Sequence, residues 1–126
     1  MLVADDHPAL AAAIGEYVAE AFQLVGTVQD GGAMLEAAKT LNPDVIVADI
    51  SMPGIDGLTA MKQIQKQLPQ VKVILLTNYG DADMVRHALH AGASGFVLKV
   101  YAPTELVQAI RTVADGGTYV SGAIAV

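Results

Sequence analysis

Five short apolar runs, rich in β-branched residues, alternate along the chain with longer stretches in which apolar residues recur every three or four positions. The runs are Leu2 to Ala4, Leu24 to Val28, Val45 to Ala48, Val71 to Leu76 and Phe96 to Leu98. Most are continuously apolar, which is typical of strands covered on both faces, whereas the period between them is that of amphipathic helices. The alternation predicts one α/β domain of 126 residues, with a parallel sheet, helices on both faces and right-handed crossovers. It leaves the order of the strands open.

Four of the five runs end on polar residues that can carry chemistry. The first run is followed by Asp5-Asp6, the third by Asp49, the fourth by Thr77 and the fifth by Lys99. In an open parallel sheet the carboxyl ends of the strands share one edge, and ligands bind in the crevice outside it. Topology therefore predicts one pocket that holds three carboxylates, a hydroxyl and an ammonium group.

The charge of this predicted pocket indicates a divalent cation. Three carboxylates and one lysine leave about −2, and like charges a few ångströms apart resist joint ionisation. At about 4 Å and an effective dielectric constant near 20, each repulsion is on the order of 4 kcal/mol. Oxygen-only ligands favour Mg²⁺, which keeps several waters and bridges carboxylates to phosphate. A phosphoryl dianion is then tolerated beside the carboxylates.

Asp49 is a candidate nucleophile, because a carboxylate can attack a phosphoryl group and form an aspartyl-phosphate. Such transfer needs mainly positioning and neutralisation of the phosphoryl oxygens, for which Lys99, the cation and the Thr77 hydroxyl are suited. Taken singly, each residue has a simpler interpretation: Asp49 as a turn residue, and Asp5-Asp6 as a cap of the first helix. Their joint placement at strand ends favours a functional site.

The same residues give the chain a strong resemblance to the receiver domains of bacterial two-component response regulators, over essentially its whole length. Asp5-Asp6-His7-Pro8 is similar to the family's acidic pair, and Val45 to Gly57 is similar to its phosphoacceptor segment. Leu75-Leu76-Thr77 resembles the hydroxyl segment, and Gly92 to Lys99 the lysine segment. The resemblance implies a flavodoxin-like (βα)5 doubly wound sheet, with five parallel strands in the order 2-1-3-4-5.

The resemblance also implies roles for the acidic residues. Asp49 is then the phosphoacceptor, and a phosphohistidine on a sensor histidine kinase is the phosphodonor. Asp6 and Asp49 are direct ligands of Mg²⁺, Ser51 contributes its backbone carbonyl, and Asp5 acts through water.

Further positions follow from the same resemblance. Thr77 and Lys99 correspond to the pair that binds the phosphoryl group. Phe96 matches the aromatic switch position, where the ring packs into the space that the threonine leaves; a plain core phenylalanine is the alternative. Ser51 and Tyr79 lie where the family tunes its rate of dephosphorylation, and we expect Tyr79 to shield the phosphoryl group from water.

The C-terminal segments resemble those of regulators whose receiver precedes a helix-turn-helix DNA-binding domain, notably Pro103 to Leu106 and Gly116 to Tyr119. Residues 1–126 are then one receiver domain, in which residues from about 117 to 126 begin a linker to an output domain absent from this chain. A stand-alone or docking-only receiver is the alternative. The resemblance implies a homodimer on phosphorylation. The acidic net charge leaves DNA contact to the output domain, and the lack of a signal segment, a membrane-spanning run and cysteine favours a cytoplasmic location.

Composition restricts the direct partners of the chain. Seven basic and thirteen acidic residues give a net charge of −6, whereas nucleic-acid affinity depends on Lys and Arg that neutralise phosphates. No apolar run approaches the roughly 18 residues that span a bilayer. Cysteine is absent, which excludes a disulfide framework and a thiolate zinc site.

Two other classes of function use the same fold. A phosphatase or phosphotransferase would also use Asp49 as nucleophile, but the segment after Asp49 lacks a second acid two residues on, and no substrate-cap segment is inserted. A flavin or nucleotide binder would need a phosphate-binding loop rich in Gly, Ser or Thr after the first strand. We therefore expect a phosphoacceptor switch rather than an enzyme.

The histidines are expected to stay outside the site. His7 adjoins the acidic pair, but we do not expect three consecutive residues to converge on one ion. His87 and His90 lie off the apolar stripe of the predicted fourth helix and should be solvated.

Overall fold

The predicted alternation of strands and helices is present in the computed structural model, which describes residues 1–78 and 82–121. The elements in chain order are β1 Leu2–Ala4, α1 Pro8–Ala21, β2 Gly26–Val28, α2 Gly31–Leu41, β3 Val45–Asp49, α3 Gly57–Gln67, β4 Lys72–Thr77, α4 Ala82–His90, β5 Gly95–Leu98, α5 Ala102–Ala114 and β6 Tyr119–Val120. A single 3₁₀ turn, Lys99–Tyr101, joins β5 to α5.

The strands form one parallel sheet in the order β2-β1-β3-β4-β5-β6. The first five follow the predicted order 2-1-3-4-5, so the flavodoxin-like arrangement is confirmed. A sixth strand was not expected. It lies on the outer edge of β5, where Gly95 pairs with Tyr119 and Phe96 with Val120.

Strands β1, β3, β4 and β5 each contribute side chains to two apolar cores, one on each face of the sheet. On β3, Ile46 and Ala48 pack into the core under α2, α3 and α4, whereas Val45 and Val47 pack into the core under α1 and α5. Side chains alternate between the faces of a strand. A strand that is covered on both sides therefore reads as an unbroken apolar run, as the sequence predicted.

The helix ends are set by local side-chain chemistry. Asp30 caps α2 by accepting a hydrogen bond from the backbone of Ala33 at 2.7 Å, and Asp56 caps α3 through Thr59 at 2.7 Å. Each bond satisfies a backbone N–H that has no partner within its helix. None of the helices in the described ranges is long and apolar enough to cross a membrane.

Side chains of α5 and β6 hold the sixth strand in place. The Tyr119 hydroxyl donates to Glu105 Oε1 at 2.9 Å, and the backbone N–H of Leu98 donates to Ser121 Oγ at 3.0 Å. Burial, together with the hydrogen bond to Glu105, raises the pKa of Tyr119. The end of the described chain is thus bonded to the strand that leads into Lys99.

Candidate functional site

The strand order brings the acidic residues of β1 and β3 together. These two strands are neighbours in the middle of the sheet, and Ala4 pairs with Ala48. Asp5 and Asp49 are the next residues on the two strands, so they lie side by side at the carboxyl edge. Both carboxylates are buried, with 0% and 2% of the residue exposed.

Lys99 provides the positive charge at this edge of the sheet. Its Nζ lies 2.6 Å from Asp49 Oδ2 and 3.7 Å from Asp5 Oδ2, and only 9% of its side chain is exposed. The other oxygen of Asp49 accepts a hydrogen bond from the backbone of Ser51 at 3.1 Å. The Asp49 carboxylate is therefore oriented by two donors, one from the end of β5 and one from its own loop.

Two further carboxylate oxygens of this cluster make no hydrogen bond within the described residues. Asp5 Oδ1 accepts from the backbone of His7 at 2.9 Å, but Asp5 Oδ2 and Asp6 Oδ1 are buried without a hydrogen-bond partner in the described part of the chain. Leaving a buried acceptor unsatisfied costs about 1–3 kcal/mol, and more when the group is charged. Two such oxygens beside Asp49 suit a bound cation, so the residues fit the predicted Mg²⁺ site.

His7 is part of this cluster, and our expectation that it stays outside was wrong. Its Nδ1 lies 3.2 Å from Asp5 Oδ1 and 2.9 Å from Asp6 Oδ1. One ligand atom from each of Asp5, Asp6, His7 and Asp49 can be chosen so that all lie within 4.8 Å of one another. The chain bends at Asp6 between β1 and α1, which turns three consecutive side chains toward one point. His87 and His90 are exposed on α4, as predicted.

The other predicted site residues lie around this cluster. Thr77 ends β4 and pairs with Leu98, the residue before Lys99. Phe96 is fully buried in the core under α2, α3 and α4, in keeping with either a core or a switch residue. Ser51 is exposed beside Asp49. Tyr79 lies outside the described residues.

The loop after Asp49 folds back onto the strand, and Gly57 makes this possible. The backbone N–H of Gly57 donates to the Ile50 carbonyl at 2.9 Å. A Cβ on Gly57 would lie 2.1 Å from the Asp49 carbonyl oxygen. Only glycine therefore allows α3 to begin this close to the end of β3. Gly54 has a φ of 73° within the same loop, a conformation that glycine adopts readily.

Comparison with known proteins agrees with this geometry. A family model described as the response regulator receiver domain matches residues 1–111. The transcriptional regulatory protein DegU of Brevibacillus brevis is 34% identical over 122 positions, which cover 95% of this chain and 52% of DegU. The response regulator GacA of Pseudomonas viridiflava is 37% identical over 127 positions, which cover 99% of this chain and 59% of GacA.

Solved structures show the same similarity. The receiver domain of NarL from Mycobacterium tuberculosis superposes with a TM-score of 0.86 at 33% identity, covering 91% of this chain and 94% of that one. The chain spans between 52% and 59% of the length of the two curated relatives.

Proposed function

Because the chain belongs to the response regulator receiver domain family, we propose that it is a phosphorylation-activated switch in which Asp49 accepts a phosphoryl group from a sensor histidine kinase. The observation that carries the proposal is the contact between the buried Asp49 carboxylate and Lys99 Nζ at 2.6 Å. In this contact a candidate nucleophile lies beside an ammonium group that can neutralise the negative charge of the phosphoryl oxygens.

In the transfer step, an oxygen of the Asp49 carboxylate attacks phosphorus. The new P–O bond replaces the P–N bond of the kinase phosphohistidine, and the imidazole leaves. Lys99 and the Thr77 hydroxyl then bind phosphoryl oxygens, since the ends of β4 and β5 lie together at the site. The protein contributes positioning and neutralisation of charge rather than covalent chemistry beyond Asp49 itself.

The buried oxygens beside Asp49 suit the cation that this chemistry needs. Asp6, Asp49 and the Ser51 carbonyl would hold Mg²⁺, with Asp5 acting through water. The ion supplies charge neutralisation that allows a phosphoryl dianion beside three carboxylates. Asp5 Oδ2 and Asp6 Oδ1, which are buried and make no hydrogen bond within the described ranges, support this assignment.

Phosphorylation then shifts an equilibrium between two conformations. In the proposed switch Thr77 moves toward the phosphoryl group and the Phe96 ring occupies the vacated space. Ser51 and Tyr79 set the rate at which water removes the phosphoryl group, with Tyr79 as a shield. The phosphorylated form is proposed to pair as a homodimer and to control transcription through an output domain. The similarity to DegU, a transcriptional regulatory protein, supports the role in transcription.

The first experiment is to incubate the purified chain with Mg²⁺ and acetyl phosphate and to measure its intact mass. We expect one added phosphoryl group on the wild type and on Asp56→Asn, and none on Asp49→Asn. Asp56 is a matched control because it lies in the same loop, is exposed, and keeps its capping function as asparagine.

Omission of Mg²⁺ should abolish the adduct on the wild type. A phosphoryl group that also appears on Asp49→Asn would contradict the assignment of the acceptor. Steady release of phosphate from many small esters, without a stable adduct, would instead favour a phosphatase.

A further inference from the structure

His7 has a geometry that neither a helix cap nor a solvated surface residue explains. It occupies the N-cap position of α1, yet its side chain makes no capping hydrogen bond. Although 64% of the side chain is exposed, the ring turns its Nδ1 back onto the two carboxylates that precede it. Nδ1 thus faces the carboxylates, while the exposed part of the ring faces solvent.

The contact with Asp6 is close without being a hydrogen bond. Nδ1 and Asp6 Oδ1 are 2.9 Å apart, but Asp6 Oδ1 is buried and has no hydrogen-bond partner in the described ranges. Nδ1 is within hydrogen-bond distance of Asp5 Oδ1 instead. When the imidazole carries its proton on Nε2, Nδ1 and Asp6 Oδ1 face each other as two donors of electron pairs. A cation shared by both atoms would then take the place of the hydrogen bond from Nδ1 to Asp5 Oδ1.

The distances match those between ligands of one octahedral ion. With bonds of about 2.1 Å, neighbouring ligand atoms lie about 3.0 Å apart and opposite ones about 4.2 Å apart. Nδ1 lies 2.9 Å and 3.2 Å from the carboxylate oxygens of Asp6 and Asp5. The group that includes Asp49 spans 4.8 Å, slightly more than the distance across such an ion.

We propose that His7 Nδ1 is a direct ligand of the cation, and that it raises the affinity of the site for borderline first-row cations such as Mn²⁺, Co²⁺ and Ni²⁺. The inference rests on the cation site of the proposed function. Carboxylate and carbonyl oxygens suit Mg²⁺ and Mn²⁺, whereas imidazole adds affinity for Co²⁺, Ni²⁺ and Zn²⁺. A site built from both kinds of ligand discriminates less strongly in favour of Mg²⁺ than a site built from oxygens alone.

The test uses untagged protein, so that no other imidazole competes, and follows the metal directly. Mn²⁺ is bound to the wild type, His7→Ala, His90→Ala and Asp6→Asn, and electron spin echo modulation records nitrogen coupled to the ion. His90 is a matched control because it is an exposed histidine on α4. Calorimetric titrations with Co²⁺ and Mg²⁺ measure the affinities of the same four proteins.

We expect nitrogen coupling in the wild type and in His90→Ala, and its loss in His7→Ala. The His7→Ala change should weaken Co²⁺ binding about tenfold or more, and Mg²⁺ binding by no more than about threefold. Mn²⁺ that binds the wild type without nitrogen coupling, and is lost in Asp6→Asn, would overturn the role of His7 and leave the proposed function intact. Failure of the folded wild type to bind Mn²⁺ and Mg²⁺ at all would overturn both.

Discussion

Single residues at the carboxyl edge of the sheet place more negative charge together than Lys99 can balance. Asp5 and Asp49 share the ammonium group at 3.7 Å and 2.6 Å. Asp6 adds a third carboxylate, whose buried Oδ1 makes no hydrogen bond in the part of the chain that the structure describes. Such an arrangement serves binding at the expense of stability, because like charges held together favour the unfolded chain. This repulsion should lower the free energy of unfolding of the metal-free protein by a measurable amount.

Asp6→Asn should therefore stabilise the metal-free protein. Removing one of three neighbouring charges relieves repulsion, worth about 1 kcal/mol at 4 Å in a setting close to water, and the Asp6 side chain is 30% exposed. Within the described residues, Asp6 Oδ1 makes no hydrogen bond that the exchange would remove. Urea unfolding in the presence of a chelator measures the change. Glu36→Gln removes the same charge from an exposed position on α2 and should alter the free energy of unfolding by less than about 0.5 kcal/mol.

Addition of Mg²⁺ should make the wild type more stable than Asp6→Asn, the reverse of the order expected without metal. A ligand that binds only the native state stabilises it by mass action, so the wild type gains stability and Asp6→Asn gains little. Equal stabilisation of both proteins by Mg²⁺ would contradict a cation site at Asp6.

Gly57→Ala should disturb the loop that follows Asp49. The added Cβ would meet the Asp49 carbonyl oxygen at 2.1 Å, and backbone on both sides of the contact has little freedom to move. We expect a loss of about 2 kcal/mol or more in the free energy of unfolding, measured in urea, and slower phosphorylation by acetyl phosphate.

Gly54→Ala is the matched control in the same loop. A Cβ there meets nothing within 4 Å, although its φ is 73°, so only the strain of a left-handed residue, about 1–2 kcal/mol, is expected. If Gly54→Ala costs more than Gly57→Ala, close packing of α3 against Asp49 is not what requires glycine at position 57.

How far the sequence predicts a site residue depends on what determines its position. Asp5, Asp49 and Lys99 follow strands whose carboxyl ends must share an edge, so topology alone brings them together. The direction of the His7 ring depends on a bend at Asp6, which no periodic pattern reports. The sequence signal that pointed to a role for His7 in the cluster was its position directly after Asp5-Asp6.

Long helices and strands are easier to predict from the sequence than short ones. Helix α3 begins after its cap, Asp56, and ends at Gln67, directly before Leu68-Pro69, because a proline disfavours a helical residue before it. Strand β2 begins at Gly26 rather than at the predicted Leu24, because pairing with a strand as short as β1 limits its extent.

Strand β6 escaped prediction because two residues are too few for any period. Its pairing depends on the edge of β5 and on hydrogen bonds that tie Tyr119 and Ser121 to the domain. The linker expected from about residue 117 stays a prediction. Tyr119 nonetheless lies in β6, and the backbone N–H of Ser121 donates to the Phe96 carbonyl at 2.9 Å.

The Tyr119 hydrogen bond should make stability depend on pH in the alkaline range. Burial and Glu105 raise the pKa of Tyr119 in the folded protein above its ordinary value of about 10. Tyr119 therefore ionises at lower pH in the unfolded chain than in the folded protein. Its contribution to the free energy of unfolding is complete below about pH 10 and is lost as pH rises through the folded-state pKa. The difference in unfolding free energy between the wild type and Tyr119→Phe, measured from pH 8 to 11, should shrink accordingly.

Tyr101→Phe is the control for this measurement, because Tyr101 is an exposed tyrosine at the start of α5. At neutral pH Tyr119→Phe should cost about 1 kcal/mol, as expected for one hydrogen bond. A difference that is constant across the whole pH range would mean that the hydroxyl does not stabilise the folded state through its bound proton.

In the whole molecule, the two apolar cores could be predicted from the unbroken runs, but the strand order could not. Alternation of strands and helices is compatible with several orders, and 2-1-3-4-5 came only from the resemblance to receiver domains. The order matters because it makes β1 and β3 neighbours. A different order would separate Asp5 from Asp49 and remove the site while leaving the same helices and strands.

The position of Lys99 also determines when the site can assemble as the chain is made. Synthesis proceeds from the N-terminus at about 5–20 residues per second, so Asp5, Asp6 and Asp49 emerge from the ribosome seconds before Lys99. During that interval the nascent chain carries all three acids and lacks the ammonium group that contacts Asp49 and Asp5. Mutual repulsion among the acids then opposes closure of β1 on β3, and docking of β5 reduces that repulsion. The proposed competence to receive a phosphoryl group would thereby depend on completion of the sheet.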